Sequence, residues 1–294
     1  MADRVFTTLV GTGSFYEGPR WHDGRWWVSD LYRHTVYAVD PDGRQEAVLT
    51  IEHHPSGLGW MPDGSLLVTS MQSREILRRA PDGTVGVHAD LVGRCPGYLN
   101  DMVVDAAGRA YAGNFGYDVA AGERPAATVL VRVDPDGSST VVADDLRFPN
   151  GSVISPDGRT LIVAETMGSR LTAFTVAADG SLTGRRTWAQ LGSRSAPGPT
   201  GPVGPDGCCG DRDGHLWVAD AIGRRCLLVA EGGEILDQIP GPDGLGVYAC
   251  ALGGPDGRTL LLCAAPNFAE RDRVDARDAV LLTTPVDVPH AGLP

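Results

Sequence analysis

The chain has 294 residues, 42% of them hydrophobic, and its 37 acidic against 25 basic side chains leave a formal net charge of −12. That balance argues against a nucleic-acid or anionic-membrane binder, because both need Lys and Arg patches. No apolar run reaches the roughly eighteen residues of a membrane-spanning helix, so none is expected.

Taken from the start, MADRVFTTLV lacks a basic stretch followed by a long apolar core, and no signal peptide is expected. The six cysteines (Cys95, Cys208, Cys209, Cys226, Cys250, Cys263) form no CxxC pair and are too sparse for a disulfide framework. Reduced, mostly core thiols in a cytoplasmic protein are the expectation.

From Glu17 a phrase begins that recurs six times. Its copies read EGPRWHDG from Glu17, SGLGWMPDG from Ser56, NDMVVDAAG from Asn100, NGSVISPDG from Asn150, DGCCGDRDG from Asp206 and ACALGGPDG from Ala249. In five copies the closing Gly lies eight positions after the first residue, and in the first copy seven. A fixed offset from a turn glycine marks equivalent positions in equivalent strands.

Each copy leads into the same alternation. After Asn150, SVIS runs to the turn PDG, then to TLIVAE, a break at TMGS, and RLTAFTV ending in ADG. Copy five repeats this as CCGD, DG, HLWVAD, AIGR, RCLLVAE and GG. Short β runs between Asp-Gly signals mark antiparallel hairpins. Asp23, Asp42, Asp63, Asp82, Asp136, Asp157, Asp213, Asp243 and Asp256 therefore read as turn formers. Almost no apolar stripe of helical period occurs, which argues against long helices.

The starts are 39, 44, 50, 56 and 43 residues apart, the length of one four-stranded propeller blade. Six copies predict an all-β chain, one six-bladed β-propeller domain over residues 1–294. Blade six has strand-like runs at 249–253, 259–264 and 279–284, then too little chain for a strong fourth strand. Residues 4–10 can supply it, closing the ring and hiding its sheet edges. Trp21, Trp60 and Trp217 fall on strands and should pack between blades.

The longest connections, 192–205, 114–127 and 265–278, all emerge on the face where the inner strands begin. Loop elaboration and the first residues of the copies thus share one mouth, where binding usually lives. Glu17, Asn100, Asn150 and Asp206 converge there. Any one alone is better explained by local backbone capping; four in register around a ring reverse that. They are hard oxygen donors without thiolate or imidazole, suited to Ca²⁺, or to Mg²⁺ and Mn²⁺ with added waters; Zn²⁺ could take three oxygens and open positions. Ser56 and Ala249 stand in copies two and six, so the ligand set is lopsided and leaves an open arc for a substrate. His53 and His54 precede blade two on the same face, either lining the pocket or exposed. Cys208 and Cys209 follow Asp206 with no nearby His to make a nucleophile, and no GxSxG elbow occurs.

The segments EGPRW, LNDMVVDAAGRAYAGN, FPNGSVISPDGRTLIVAET, PDGCCGDRDGHLWVAD and ACALGGPDGRTL, in this order and spacing, resemble the senescence marker protein, gluconolactonase and luciferin-regenerating enzyme family. That family includes regucalcin and, more distantly, diisopropyl fluorophosphatase. The resemblance runs from about Glu17 to Ala265. It implies one divalent metal in the mouth, held by Glu17, Asn150 and Asp206, with Asn100 on the substrate and Asp101 the next polar candidate. It also implies metal-assisted hydrolysis, chiefly of lactones.

The chain departs from the sugar-lactonase pattern at three places. Tyr98 stands where Arg commonly holds sugar hydroxyls, Met102 where Gly is common, and GNFGYD (114–118 plus the preceding Gly) offers no clear counterpart of a sugar-binding carboxylate. Tyr98, Phe115, Tyr117, Phe148 and Met167, with Asn114 beside them, are expected to line the substrate side and favour a ring less polar than gluconolactone. The leading expectation is a divalent-metal lactonase, with Asp206 and Asn100 as catalytic residues. The cation would polarise the carbonyl, and a water taken from it or activated by Asp206 would attack. Two alternatives stand beside it: a phosphotriester or activated-ester hydrolase on the same centre, and a non-catalytic metal- or ligand-binding propeller. Oligomeric state is not legible.

Overall fold

A computed structural model of the chain describes residues 4–118, 121–193, 195 and 201–292. Parts of two long mouth connections noted above, 119–120 and most of 194–200, lie outside the described residues. The described strands form six antiparallel four-stranded sheets. Among the described residues helix is confined to Glu270–Arg273 and two short 3₁₀ turns, as the missing helical period predicts.

The six inner strands are Tyr16–His22, Pro55–Trp60, Leu99–Val104, Pro149–Ile154, Pro205–Gly210 and Gly246–Gly253. Each packs against the inner strand of the next blade, and the last returns to the first, so the sheets form a closed six-bladed β-propeller. The N-terminal strand Thr7–Gly13 completes blade six by pairing with Ala279–Pro285, with Thr7 opposite Thr283 and Val10 opposite Leu281. This strand starts three residues later than the sequence suggests; ahead of it Arg4 pairs with Asp237 of blade five. The inner strand of blade six begins at Gly246 rather than at Ala249, where the repeat phrase starts.

Period-two alternation explains the core. Within Thr160–Glu165, Leu161 and Val163 enter one apolar cluster with blade three, while Ile162 and Ala164 enter another with blade five. Leu216 and Val218 likewise face blade four, and Trp217 and Ala219 face blade six. Each of six clusters fills one seam between neighbouring blades. Trp60 meets Trp27 of blade one at 5.3 Å, and Trp21 abuts Gly253 of blade six, so these tryptophans are seam residues as expected.

Hairpin tips carry the turn chemistry read from the sequence. Asp63, Asp82, Asp136 and Asp157 each accept the N–H two residues on, at 2.9 to 3.0 Å. These Asx turns leave the following glycine in the left-handed region, as at Gly64 and Gly158. They lie at the opposite end from the mouth.

Candidate metal centre and substrate mouth

Glu17, Ser56, Asn100, Asn150 and Asp206 are each the second residue of their inner strand. The strands come close because small residues follow them. A Cβ on Gly151 would sit 2.6 Å from the Asp206 carbonyl oxygen, and one on Gly207 would sit 2.6 Å from the Ala249 Cβ. Glycine at these positions lets adjoining inner strands approach backbone to backbone, narrowing the ring at the mouth.

The group is buried and polar. Asn100, Asn150 and Asp206 are 6%, 5% and 7% exposed, so their polar atoms depend on partners inside the ring. Glu17 is half-buried. Asn150 donates from Nδ2 to the Asp206 carboxylate and to Thr166 Oγ1 at 3.3 Å. Asn100 donates from Nδ2 to the Pro149 carbonyl at 3.5 Å. Glu17 accepts the Gly18 N–H at 3.3 Å.

Burial raises the Glu17 carboxyl well above the usual carboxylate range, and the charges of Asp206 and Asp101 raise it further. Burial does the same to Asp206, with Asp101 adding and the Asn150 hydrogen bond opposing. Two carboxylates therefore share a site that supplies one backbone N–H and one amide as donors. Desolvated negative charge of this kind is relieved by a proton or by a cation. Among the described residues no three His, Cys, Asp or Glu side chains stand in metal-binding geometry. A cation here would rest on carboxylates mixed with amide oxygens, a donor set that fits a hard divalent ion.

Asp101 lies near enough for its charge to act on Glu17 and Asp206, but its own carboxylate is turned to the scaffold. Its Oδ1 accepts Arg20 Nη2 at 2.8 Å and the Met102 N–H at 2.8 Å, and it is 3% exposed. Arg20 also donates to the Met102 carbonyl at 2.7 Å and to Pro19 at 2.9 Å, bracing blade one against blade three. Asn114 is not brought into the group either. It is fully buried, donates to Val129 O at 2.8 Å, and accepts Gly116 N–H and Thr128 Oγ1 at 3.0 and 2.6 Å. Both ends of its amide are engaged within blade three.

The aromatic residues do assemble. Phe115 stacks on Phe148 with ring centroids 4.5 Å apart, and Tyr98 and Tyr117 lie 6.0 and 6.4 Å from Phe115. Phe148 holds this wall from a left-handed backbone with φ of 60°. Met167 is 47% exposed at the rim.

A second aromatic arc was not read from the sequence. Phe15 lies 4.9 Å from Tyr248 and 6.3 Å from Tyr32, and Tyr32 meets His54 edge-on at 5.2 Å. Phe268, from the connection carrying Glu270–Arg273, meets Tyr248 at 6.0 Å. These residues belong to blades one, two and six, the side of the ring that carries Ser56 and Ala249. Of the two histidines named above, His54 belongs to this wall and His53 is exposed. Burial, with His34 and His53 adding, depresses the His54 imidazole to about 4. Apart from Tyr248, which sits inside the inner strand of blade six, the arc comes from connections with no repeat register; the one signal for it was aromatic content near the strand ends. Arg20 lay in plain view inside EGPRW, but its partner is 81 positions away.

A closed six-bladed propeller with carboxylates and amides at its mouth defines a class of ring-shaped proteins built around a central polar site. This chain belongs to the SMP-30/Gluconolactonase/LRE-like family, whose model matches residues 15–266. It is 29% identical over 268 residues to the pentonolactonase XacC of Haloferax volcanii, covering 89% of this chain and 84% of the relative. It is 26% identical over 229 residues to the lactonase drp35 of Staphylococcus aureus, covering 75% and 68%. Among solved structures it resembles a gluconolactonase of Xanthomonas campestris at 27% identity and TM-score 0.74, covering 98% and 91%. It shares its fold with a calcium-binding protein, regucalcin, of Agrobacterium tumefaciens at 22% identity and TM-score 0.80, covering 99% and 97%.

Proposed function

We propose that this chain is a divalent-metal-dependent lactonase acting on a ring less polar than gluconolactone. The chemistry, hydrolysis of a lactone, is that of the relatives, which are named for pentonolactone, lactone and 6-deoxy-6-sulfogluconolactone hydrolysis. The observation that carries the metal dependence is the pair of under-donated carboxylates, Glu17 and Asp206, beside the amide of Asn150. We read the chain as one propeller domain over 1–294. Cytoplasmic residence is part of the same reading, supported by six free thiols.

Glu17, Asn150 and Asp206 would hold the cation, with Ca²⁺ first and Mg²⁺, Mn²⁺ or Zn²⁺ as alternatives. Bound there, the cation would polarise the lactone carbonyl and stabilise the developing oxyanion. Asp206 is the candidate base: its carboxylate, held by Asn150, would take a proton from the attacking water as the ring opens. Asn100, 6% exposed in the ring between blades two and four, would orient substrate or water. The wall of Tyr98, Phe115, Tyr117 and Phe148 would pack the ring and exclude bulk water. Met167 extends this surface at the rim, whereas Asp101 and Asn114 support the scaffold behind it.

The relatives named for sugar lactones differ in the expected ring polarity, and that part of the reading rests on Tyr98. A lactone panel, sugar lactones against alkyl and aromatic ones, tests it in the presence of each cation. Preference for the alkyl or aromatic lactones supports the reading. A clear preference for sugar lactones sinks it, and turnover of phosphotriesters with no lactone would move the centre to the other hydrolase class.

A further inference from the structure

At the mouth end, among the described residues, hydroxyls reach across three seams of the ring. Ser29 donates to the Ser56 carbonyl at 2.7 Å. Thr69 donates to the Asn100 carbonyl at 3.0 Å while accepting the Gly57 N–H at 2.7 Å. Thr166 donates to the Pro205 carbonyl at 2.7 Å. All three lie at or just past the mouth end of a second strand, and each clasps the inner strand of the next blade.

The clasp at Thr166 also hydrogen-bonds the side chain of a candidate ligand. Its single proton is committed to Pro205, so towards Asn150 the oxygen can only accept. It takes an N–H from Asn150 Nδ2 at 3.3 Å, and the other N–H of that amide goes to Asp206. Turning the amide over would set its oxygen against two acceptors, Thr166 Oγ1 and the Asp206 carboxylate. The amide nitrogen is thus locked towards blade five, and Oδ1 is the atom left for the mouth.

We propose that Thr166 is a positioning residue that fixes the amide of Asn150 so that its oxygen faces a divalent cation. This rests on reading Glu17, Asn150 and Asp206 as a metal centre. Because Thr166 also braces the peptide just before Asp206, it sets two ligands from one hydroxyl. Outer partners of this kind typically tune metal affinity by about 10- to 100-fold.

The test is calorimetric titration of metal-stripped protein with Ca²⁺ and with Mn²⁺, alongside thermal unfolding of the same stripped samples. Thr166→Val should weaken binding by roughly 10- to 100-fold, and Thr166→Ser should restore it to within about threefold of the unmutated protein. Thr166→Ala serves as the second hydroxyl-free variant if the valine variant does not fold. Tyr111→Phe removes a hydroxyl that crosses from blade three to blade four far from the candidate ligands, donating to Gly180 O at 3.0 Å, and should lower the unfolding temperature while leaving cation affinity unchanged. Wild-type affinity in Thr166→Val, or an equal loss in Tyr111→Phe, would overturn the positioning role and leave the metal centre standing. If the unmutated protein binds neither cation, the metal centre itself fails and this proposal falls with it.

Discussion

Asn150 of blade four donates its amide hydrogen to the Asp206 carboxylate of blade five, joining two inner strands at the mouth. With Glu17 across the ring, Asp206 carries a charge that burial makes costly. Asp206→Asn removes one of the two like charges and replaces a carboxylate ligand with a neutral amide. The metal-free protein should melt higher, by about 2–4 °C for each kcal/mol of repulsion relieved. Divalent affinity should drop on the order of 100-fold, and lactone turnover with it. Scanning calorimetry of stripped protein and a cation titration read the two opposite changes.

Gly151 tests how tightly the ring is drawn. A methyl there would lie 2.6 Å from Asp206 O, 2.7 Å from Cys208 N and 2.8 Å from Gly207 Cα, all backbone atoms. Gly151→Ala should cost about 1–3 kcal/mol and weaken cation binding by pushing Asp206 outward. Gly86→Ala, with no atom within 4 Å of the new methyl, should change neither. Equal melting temperatures for the two variants would contradict this close approach.

The second aromatic wall has its own signature in pH. His54 is held neutral, its imidazole depressed from the ordinary 6.5 to about 4. The unfolded chain therefore takes up that proton first as pH falls. The stability contributed by neutral His54 is complete above pH 6.5 and drains away as pH falls towards 4. His54→Asn, which tolerates the local φ of 58°, should flatten unfolding temperature against pH across that window. An unchanged slope would mean that burial does not hold the imidazole neutral.

Tyr98 governs ring polarity in this account. Tyr98→Arg should raise kcat/KM for sugar lactones over alkyl lactones by roughly 10-fold or more, the effect of a new polar fork on hydroxyls. Phe115→Ala, which opens the 4.5 Å stack with Phe148, should instead raise KM for the apolar lactones. Parallel kinetics on one sugar and one alkyl lactone decide both.

The propeller was legible because turn glycines and seam-filling alternation are local signals repeated at a constant offset. The same offset picked out Glu17, Asn100, Asn150 and Asp206, and the structure sets them in equivalent places on successive inner strands. Position within a strand could not reveal what each side chain would meet. Asn114 looks like a mouth residue from its place after a strand, yet its amide is consumed by Val129, Gly116 and Thr128. Asp101 follows a ring residue but turns to Arg20, and no local pattern encodes a pair that spans the channel. The wall of Phe15, Tyr32, Tyr248 and Phe268 is contributed mainly by connections whose lengths differ from blade to blade.

The most direct measurement is lactone turnover by protein stripped with a chelator, its metal content followed by elemental analysis, and then titrated with one cation at a time. The account predicts that turnover disappears with the metal and returns with one equivalent of a single divalent ion, and that Glu17→Gln and Asp206→Ala do not recover. Full lactone turnover by demonstrably metal-free protein would contradict it, as would stoichiometric metal with no turnover of any lactone.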